Sequence, residues 1–450
     1  MNFRCLWLAR ELPFPEDSGD RVYSARLALA LAAAGADVTF AGLAAGPVPP
    51  EHANALRWHA IGGGPRPVWR ALLSAEPLQS ALRATPAYAR VVRSLLKERW
   101  DAIVLEHYGS AWLLPLMRNA LAGIGQRPVL VHVSHNHETS LWRDMAERAG
   151  GPAWQRLGLW QNALKAARSE QRLVRSVDLL SCITAQDAEA YAANGVRTPS
   201  IVLTPGYAGP RTAARTLNTY TPRRVILVGA YRWVVKQDNL RALLKHASDA
   251  FARHGVVLDI VGDMPEALRQ EIGTHPAVRV HGFVDDLAPL LRDARIALVP
   301  EAIGGGFKLK LLDYVFHRVP VATLQASTAG LPPALSNAML CCPDLPSLVG
   351  TVLNHIDDVA LLDRLQREAY VAADAAFDWN DRGRALLTAM RSQAFAGAGA
   401  AADVAGAGQP HNSRYSSAQY SGDSRWPPIT SQPESSTTRS GSGAGARVTA

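Results

Sequence analysis

Short unbroken runs of Val, Ile, Leu and Ala, each followed by a longer stretch with apolar residues at helical spacing, recur along most of the chain. Runs that do not alternate with polar residues suit strands buried on both faces, so the pattern predicts parallel α/β construction. In the first half strands are predicted at 3–8, 37–40, 102–105, 129–133, 179–183 and 200–203. The rhythm then restarts at 224–228, 256–261, 278–280, 296–299, 319–322 and 339–342, so two similar sheets are expected. Between them 204–215, TPGYAGPRTAAR, has no apolar periodicity and reads as a linker. After about Gln393 the composition turns to Ala, Gly, Ser, Thr and Pro, too little apolar surface to fold alone. The expected division is a first domain at 1–205, a second at 206–375, a helix at 376–394 crossing back to the first domain, and a disordered tail at 395–450.

Composition narrows the class further. With 48% hydrophobic and 19% charged residues among 450, the chain can bury enough apolar surface to offset its ordering entropy, which excludes global disorder. The four cysteines, Cys5, Cys182, Cys341 and Cys342, show no CxxC spacing, so neither a disulfide framework nor a cysteine-zinc module is expected. A reducing, cytoplasmic compartment follows as the expectation, and the first residues do not read as a secretory leader. The most apolar stretch, 25–43, is broken by Gly35 and Asp37 and reads as helix, turn and strand rather than a membrane span. The net charge of +8 comes almost wholly from scattered Arg. No basic stripe interleaved with stacking aromatics supports nucleic-acid binding. Lysine is scarce: only Lys97, Lys165, Lys236, Lys245, Lys308 and Lys310 occur, so each marks a place where a compact ammonium is worth asking about.

Two of those places lie beside a glycine loop. The strand at 296–299 runs through Pro300 and Glu301 into Gly304, Gly305, Gly306 and Phe307, and then into a helical pattern, KLKLLDYVFHRV. Successive N–H groups in such a loop can cradle a phosphate that a Cβ would keep away. Lys308 and Lys310 at the helix start oppose its dipole unless an anion lies there; an ordinary turn with two solvated lysines is the alternative. After the strand at 224–228 come Gly229, Arg232 and Lys236. Loops at the carboxyl ends of parallel strands share one rim, so this pair can face the same crevice and suit a diphosphate, or else be plain surface charges four apart on a helix.

The segments GFVDDLAPLLRDARIALVPEAIGGGFKLKLLDYVFHRVPVAT, LVGAYRWVVKQDNLRALL and PFPEDSGDRVYSARLALALAAAGADVTFAG resemble the GT-B glycosyltransferases of family 4, also called group 1, over residues 1 to about 393. The resemblance implies two Rossmann-like domains facing across a cleft, a nucleotide diphospho-sugar on the second and an acceptor on the first, usually with retention of configuration. Lys310 then resembles the phosphate-side lysine, and Arg232 with Lys236 the diphosphate pair. The family's two glutamates fall on Gly305 and Asp313. Asp313 keeps the ribose contact, while Glu301 reaches toward the donor sugar in place of the missing glutamate. Gly304, Gly306, Phe307 and Lys308 complete the expected donor site. In the first half, Gly19 and Asp20 within Ser18-Gly19-Asp20-Arg21 correspond to a glycine loop near donor phosphate and acceptor, with a helix cap as the plainer reading. Ser134-His135-Asn136-His137-Glu138 resembles the HNxE region, with His135 and Glu138 meeting the acceptor or the departing sugar, and Glu170 resembles a helix glutamate that points to the cleft.

Other readings compete. His132, His135, His137 and Glu138 have a spacing suited to a metal, but no second ligand motif accompanies them, so neither metal nor cofactor is expected. Asp285 and Asp286 read as a helix cap before 287–292 rather than a metal-binding pair. The expected function is transfer of a hexose from a nucleotide diphospho-sugar to a saccharide or lipid-linked saccharide in surface polysaccharide synthesis. A sugar-nucleotide epimerase of the same fold and a non-catalytic subunit are the alternatives. Between 141 and 176, seven basic and three acidic residues with Trp142, Trp154 and Trp160 point to peripheral contact with the inner face of a membrane, against the plainer reading that the indoles pack inside.

Overall fold

The computed structural model describes residues 2–124, 127–148, 150, 152–301 and 306–406. The first sheet is built from β1 (Phe3–Glu11), β2 (Ala36–Leu43), β3 (Arg57–Ile61), β4 (Ala102–Glu106), β5 (Val129–Val133), β6 (Leu179–Cys182) and β7 (Ser200–Val202). The second holds β8 (Arg224–Val228), β9 (Val257–Val261), β10 (Val278–Gly282), β11 (Ile296–Val299), β12 (Val321–Leu324) and β13 (Leu340–Cys342). Their orders are β3-β2-β1-β4-β5-β6-β7 and β10-β9-β8-β11-β12-β13, and the ladders are parallel. Both are doubly wound Rossmann-like sheets, as the two rounds of apolar runs predict.

Burial on both faces explains the unalternating runs. Along β1, Cys5 and Trp7 enter one core while Leu6 and Leu8 enter another; β4 divides Ala102 and Val104 from Ile103 and Leu105 in the same way. The second sheet repeats the device, with Val225 and Leu227 of β8 on one side and Ile226 on the other. The strand that the pattern does not predict is β3, whose RWHAI is mostly exposed at the sheet edge and therefore carries no apolar run.

In a doubly wound sheet the order reverses between two neighbouring strands, and the loops leaving their carboxyl ends diverge to open a crevice. That point lies between β1 and β4 in the first sheet and between β8 and β11 in the second. Chain topology alone thus marks Glu11, Glu106, Val228 and the residues after Val299 as the neighbourhood of a ligand.

The last helix, Trp379–Gly406, returns to the first domain, where Trp379, Leu386, Leu387 and Met390 join the core of Trp7, Tyr23 and Leu27. Its backbone runs so close to the helix Gly19–Ala33 that a Cβ on Gly383 would fall 2.1 Å from the Ala30 carbonyl oxygen. Gly383→Val should therefore lower stability by about 2 kcal/mol through overpacking, read as a fall in the thermal midpoint with the secondary structure retained. The helix also corrects the expected start of the tail at 395. It continues to Gly406 because AFAGAGAAADVAG is rich in alanine, the strongest helix former. The remainder of that expected tail, 407–450, lies outside the described residues.

Candidate functional site

Both switch points carry clusters of buried charge. At the second, Glu301 follows β11 and is buried. Lys236, in the first turn of the helix Val234–Arg253, sets its Nζ 2.9 Å from Glu301 Oε1. Lys310, which opens the helix Lys310–Phe316, ion-pairs with the same oxygen and donates to the Val228 carbonyl at 3.1 Å. Lys308 is buried beside them, with Nζ 3.3 Å from the Gly306 carbonyl. Two ammonium groups thus clasp one carboxylate with a third buried nearby, and Glu301 Oε2 is buried with no hydrogen-bond partner among the described residues. Burial would raise the Glu301 carboxyl, but the Lys310 and Lys236 charges outweigh it and hold it down at about 2. Burial pushes Lys308 and Lys310 in the opposite sense, each down to about 8, with Lys236 repelling both and Glu301 pulling back. A cluster this rich in desolvated cations favours an anion beside it.

The structure corrects two expectations here. Glu301, expected to reach toward the donor sugar, is buried and clamps two lysines through Oε1. Arg232 does not join Lys236 in a pair: its side chain is 74% exposed and is bonded to Asp263 at the rim. The cause is Tyr231, whose ring is buried in the core of the second domain and whose N–H donates to the Asp263 carbonyl at 2.8 Å, so the next side chain turns outward. Asp313 lies one helical turn beyond Lys310, half-buried, and burial raises its carboxyl to about 6 against the pull of His317 and the Tyr207 hydroxyl. Phe307 packs against Phe377, with ring centroids 5.7 Å apart, and lies against both domain cores, so it ties the domains together. Gly304 and Gly305 lie outside the described residues. Asp286 accepts from the Ala288 N–H at 2.9 Å just ahead of the helix Ala288–Asp293, whose N-cap position is Leu287 rather than either aspartate.

At the first switch point the organising residue is Glu106, the buried last residue of β4. It accepts from Trp7 Nε1 at 2.6 Å, from the Ser24 hydroxyl and from His135 Nε2 at 2.8 Å. Burial would raise this carboxyl, but hydrogen bonding and charge from His135 hold it below its ordinary value. His135 is thereby oriented, and its Nδ1 is buried without a partner among the described residues. Glu138, raised by burial, sits 3.4 Å from His107 Nε2, and burial drives His107 well below its ordinary value, so that imidazole is neutral. Asp20 is bound by Arg10 at 2.7 Å; burial alone would raise it, but the Arg10 charge and a hydrogen bond from Ser18 bring it well down. Glu170 corrects another expectation. Both its oxygens accept at the start of the helix Glu138–Arg148, from the N–H groups of Glu138 and Thr139 at 2.8 and 2.9 Å, so it positions Glu138 rather than entering the cleft. His132 donates through Nδ1 to the Leu105 carbonyl inside the sheet, and His137 bonds Ser140 and Asn194, which takes both away from any shared ligand set.

The two clusters face each other. Gly306 has φ +74, and a Cβ there would fall 2.5 Å from Asn136 Oδ1 and 3.4 Å from the His135 carbonyl; a Cβ on Gly19 would meet Leu309 at 3.3 Å. The lysine loop of the second domain thus lies directly against the 134–138 loop and the 18–20 turn of the first. Sequence reasoning missed Glu106, Arg10 and His107. A glutamate ending the buried run AIVLE was the available signal, since an unpaired charge is not left at a buried strand end.

Comparison with known proteins agrees with the two-sheet fold. Residues 18–206 match the glycosyl transferase 4-like domain, and residues 222–358 match the glycosyl transferases group 1. Among solved structures, the chain resembles Anabaena Alr3699/HepE in complex with UDP and glucose (TM-score 0.60, 14% identity, 87% of this chain and 100% of that one). It also resembles WaaG, a glycosyltransferase involved in lipopolysaccharide biosynthesis (TM-score 0.60, 17% identity, 85% and 99%). A third is an alpha,alpha-trehalose-phosphate synthase (UDP-forming) from Burkholderia xenovorans in complex with glucose-6-phosphate (TM-score 0.54, 14% identity, 86% and 100%). No curated protein matches the chain.

Proposed function

We infer, from the premise that this chain belongs to the group 1, family 4-like glycosyltransferases of GT-B fold, that it moves a hexose from a nucleotide diphospho-sugar to a hydroxyl of a saccharide or lipid-linked saccharide, in the synthesis of surface glycoconjugates. The observation that carries this reading is the trio Lys236, Lys308 and Lys310 around Glu301, set against the His135 loop of the opposite domain. As the glycosidic bond of the donor breaks, negative charge grows on the leaving diphosphate. Pre-placed ammonium groups in a desolvated notch stabilise that charge more than they stabilise the bound donor. Glu301 holds two of them in register, so little reorganisation is needed at the moment of reaction. The lysines do this charge work without a metal ion or cofactor.

With retention, the acceptor hydroxyl attacks the anomeric carbon from the face that the diphosphate leaves and passes its proton to a departing phosphate oxygen. His135, held through Nε2 by Glu106, keeps Nδ1 for a substrate hydroxyl, Glu138 supplies a second polar contact, and Asp313 takes the ribose. A UDP-sugar is the first donor to try, since HepE is described in complex with UDP and glucose. The test is calorimetry across UDP-, GDP- and ADP-sugars, followed by measurement of nucleotide release with and without saccharide acceptors. Release that depends on acceptor supports transfer. Epimerised donor without acceptor would support an epimerase, and no affinity for any nucleotide sugar would overturn the reading.

The lysine pKa values give a pH signature. Lys308 and Lys310, lowered to about 8, are charged below that value and neutral above it. The ratio kcat/KM for the donor should fall as pH climbs through about 8, while a bound diphosphate, by favouring the charged forms, should draw in protons during binding. Calorimetry in two alkaline buffers of different ionisation enthalpy measures that uptake.

A further inference from the structure

Eight of the fifteen large apolar side chains exposed among the described residues fall in two short stretches of the first domain. The helix Val68–Leu72 and the residue after it present Trp69, Leu72 and Leu73, with Leu73 83% exposed. The helix Ala153–Val174 presents Trp154, Leu157, Trp160 and Leu164, with Trp154 72% exposed. Their spacing of three, three and four places these four on one face of the helix, while Ala163, Ala166 and Leu173 turn inward. This amphipathic helix thus turns an apolar stripe outward along its first half, and the indoles of Trp154 and Trp160 do not pack inside.

The two stretches abut. Lys165 Nζ donates to the Ser74 carbonyl at 2.7 Å, and Asn162 Oδ1 accepts from the Leu78 N–H at 2.9 Å, so Leu73 and Leu164 flank a single junction. All the charged residues in 62–75 and 153–169 are cationic: Arg66, Arg70, Arg156, Lys165 and Arg168. No described helix is long and apolar enough to cross a membrane.

We propose that this face is a docking surface for an anionic lipid bilayer, into whose headgroup region the Trp and Leu side chains insert while the Arg and Lys rim meets lipid phosphates. Charge decides against a second copy of the chain as the occupant, because a two-fold contact would bring one cationic rim against another. The same helix carries Glu170, which fixes the start of the Glu138 helix. Ten residues separate Trp160 from Glu170, about 15 Å at the helical rise. A bilayer at this face therefore lies within reach of the candidate acceptor site, which suits a lipid-linked acceptor.

The experiment is flotation of the full chain with vesicles of phosphatidylcholine alone and of equal parts phosphatidylcholine and phosphatidylglycerol. Binding is expected only to the anionic vesicles, weakening with salt. Leu73→Ser with Trp154→Ser, both at exposed positions, should weaken it about tenfold or more. Nucleotide-sugar affinity measured on the same samples should be unchanged, which separates this proposal from the donor-site reading. Equal flotation of wild type and variant, or no flotation with anionic vesicles, would overturn the proposal. So would a sedimenting dimer that the same substitutions disperse, which would make the occupant a second copy.

Discussion

Lys310→Ala should lower the rate of sugar transfer at saturating donor by about a hundred- to a thousandfold, a barrier increase of roughly 3 to 4 kcal/mol, the scale at which one pre-placed stabiliser of a developing anion acts. The loss belongs mainly in kcat, because charge on the diphosphate is greater in the transition state than in the intact donor. Lys310→Arg should restore little. A planar guanidinium cannot occupy the position where a compact ammonium meets both Glu301 and the Val228 carbonyl. Lys236 keeps Glu301 paired in the alanine variant, so the thermal midpoint should fall far less than the rate. A loss seen only in KM would instead assign Lys310 to uniform donor binding.

Glu106→Ala should cost about 3 to 5 kcal/mol of stability, the scale for breaking a buried ionic network by removing one partner. The buried indole N–H of Trp7, the Ser24 hydroxyl and His135 Nε2 would together lose their acceptor. Glu106→Gln keeps an acceptor oxygen of nearly the same shape and should recover much of that stability. It withdraws the negative charge that faces His135, so the rate should remain depressed and the pH profile should move. Urea unfolding and pH-dependent kcat on the two variants divide the structural role of Glu106 from its positioning of His135. Recovery of both stability and rate in the glutamine variant would reduce Glu106 to packing.

The fold was legible because parallel strands covered on both faces are written as continuous apolar runs, and twelve such runs were read from the chain. The exception, β3, shows the limit of that signal: an exposed edge strand carries polar side chains and looks like loop. The site was partly legible. Lys236, Lys308, Lys310 and Glu301 stood out as rare lysines and an acid beside strand ends, and the structure brings them into one cluster. Arg232 was misplaced because a single buried ring, Tyr231, decides which way the next residue points, and no local spacing reveals that.

Local sequence determined the two rounds of strand and helix, since each depends on burial period and backbone freedom over a few residues. Tertiary structure decided the rest. Glu106 meets Ser24 across 82 positions and Trp7 across 99. Glu301 collects Lys236 from 65 residues away, and the helices bearing Trp69 and Trp154 become one surface only when folded. Charge pairing is settled by where distant elements cross, and a buried carboxylate takes whichever donors that crossing supplies.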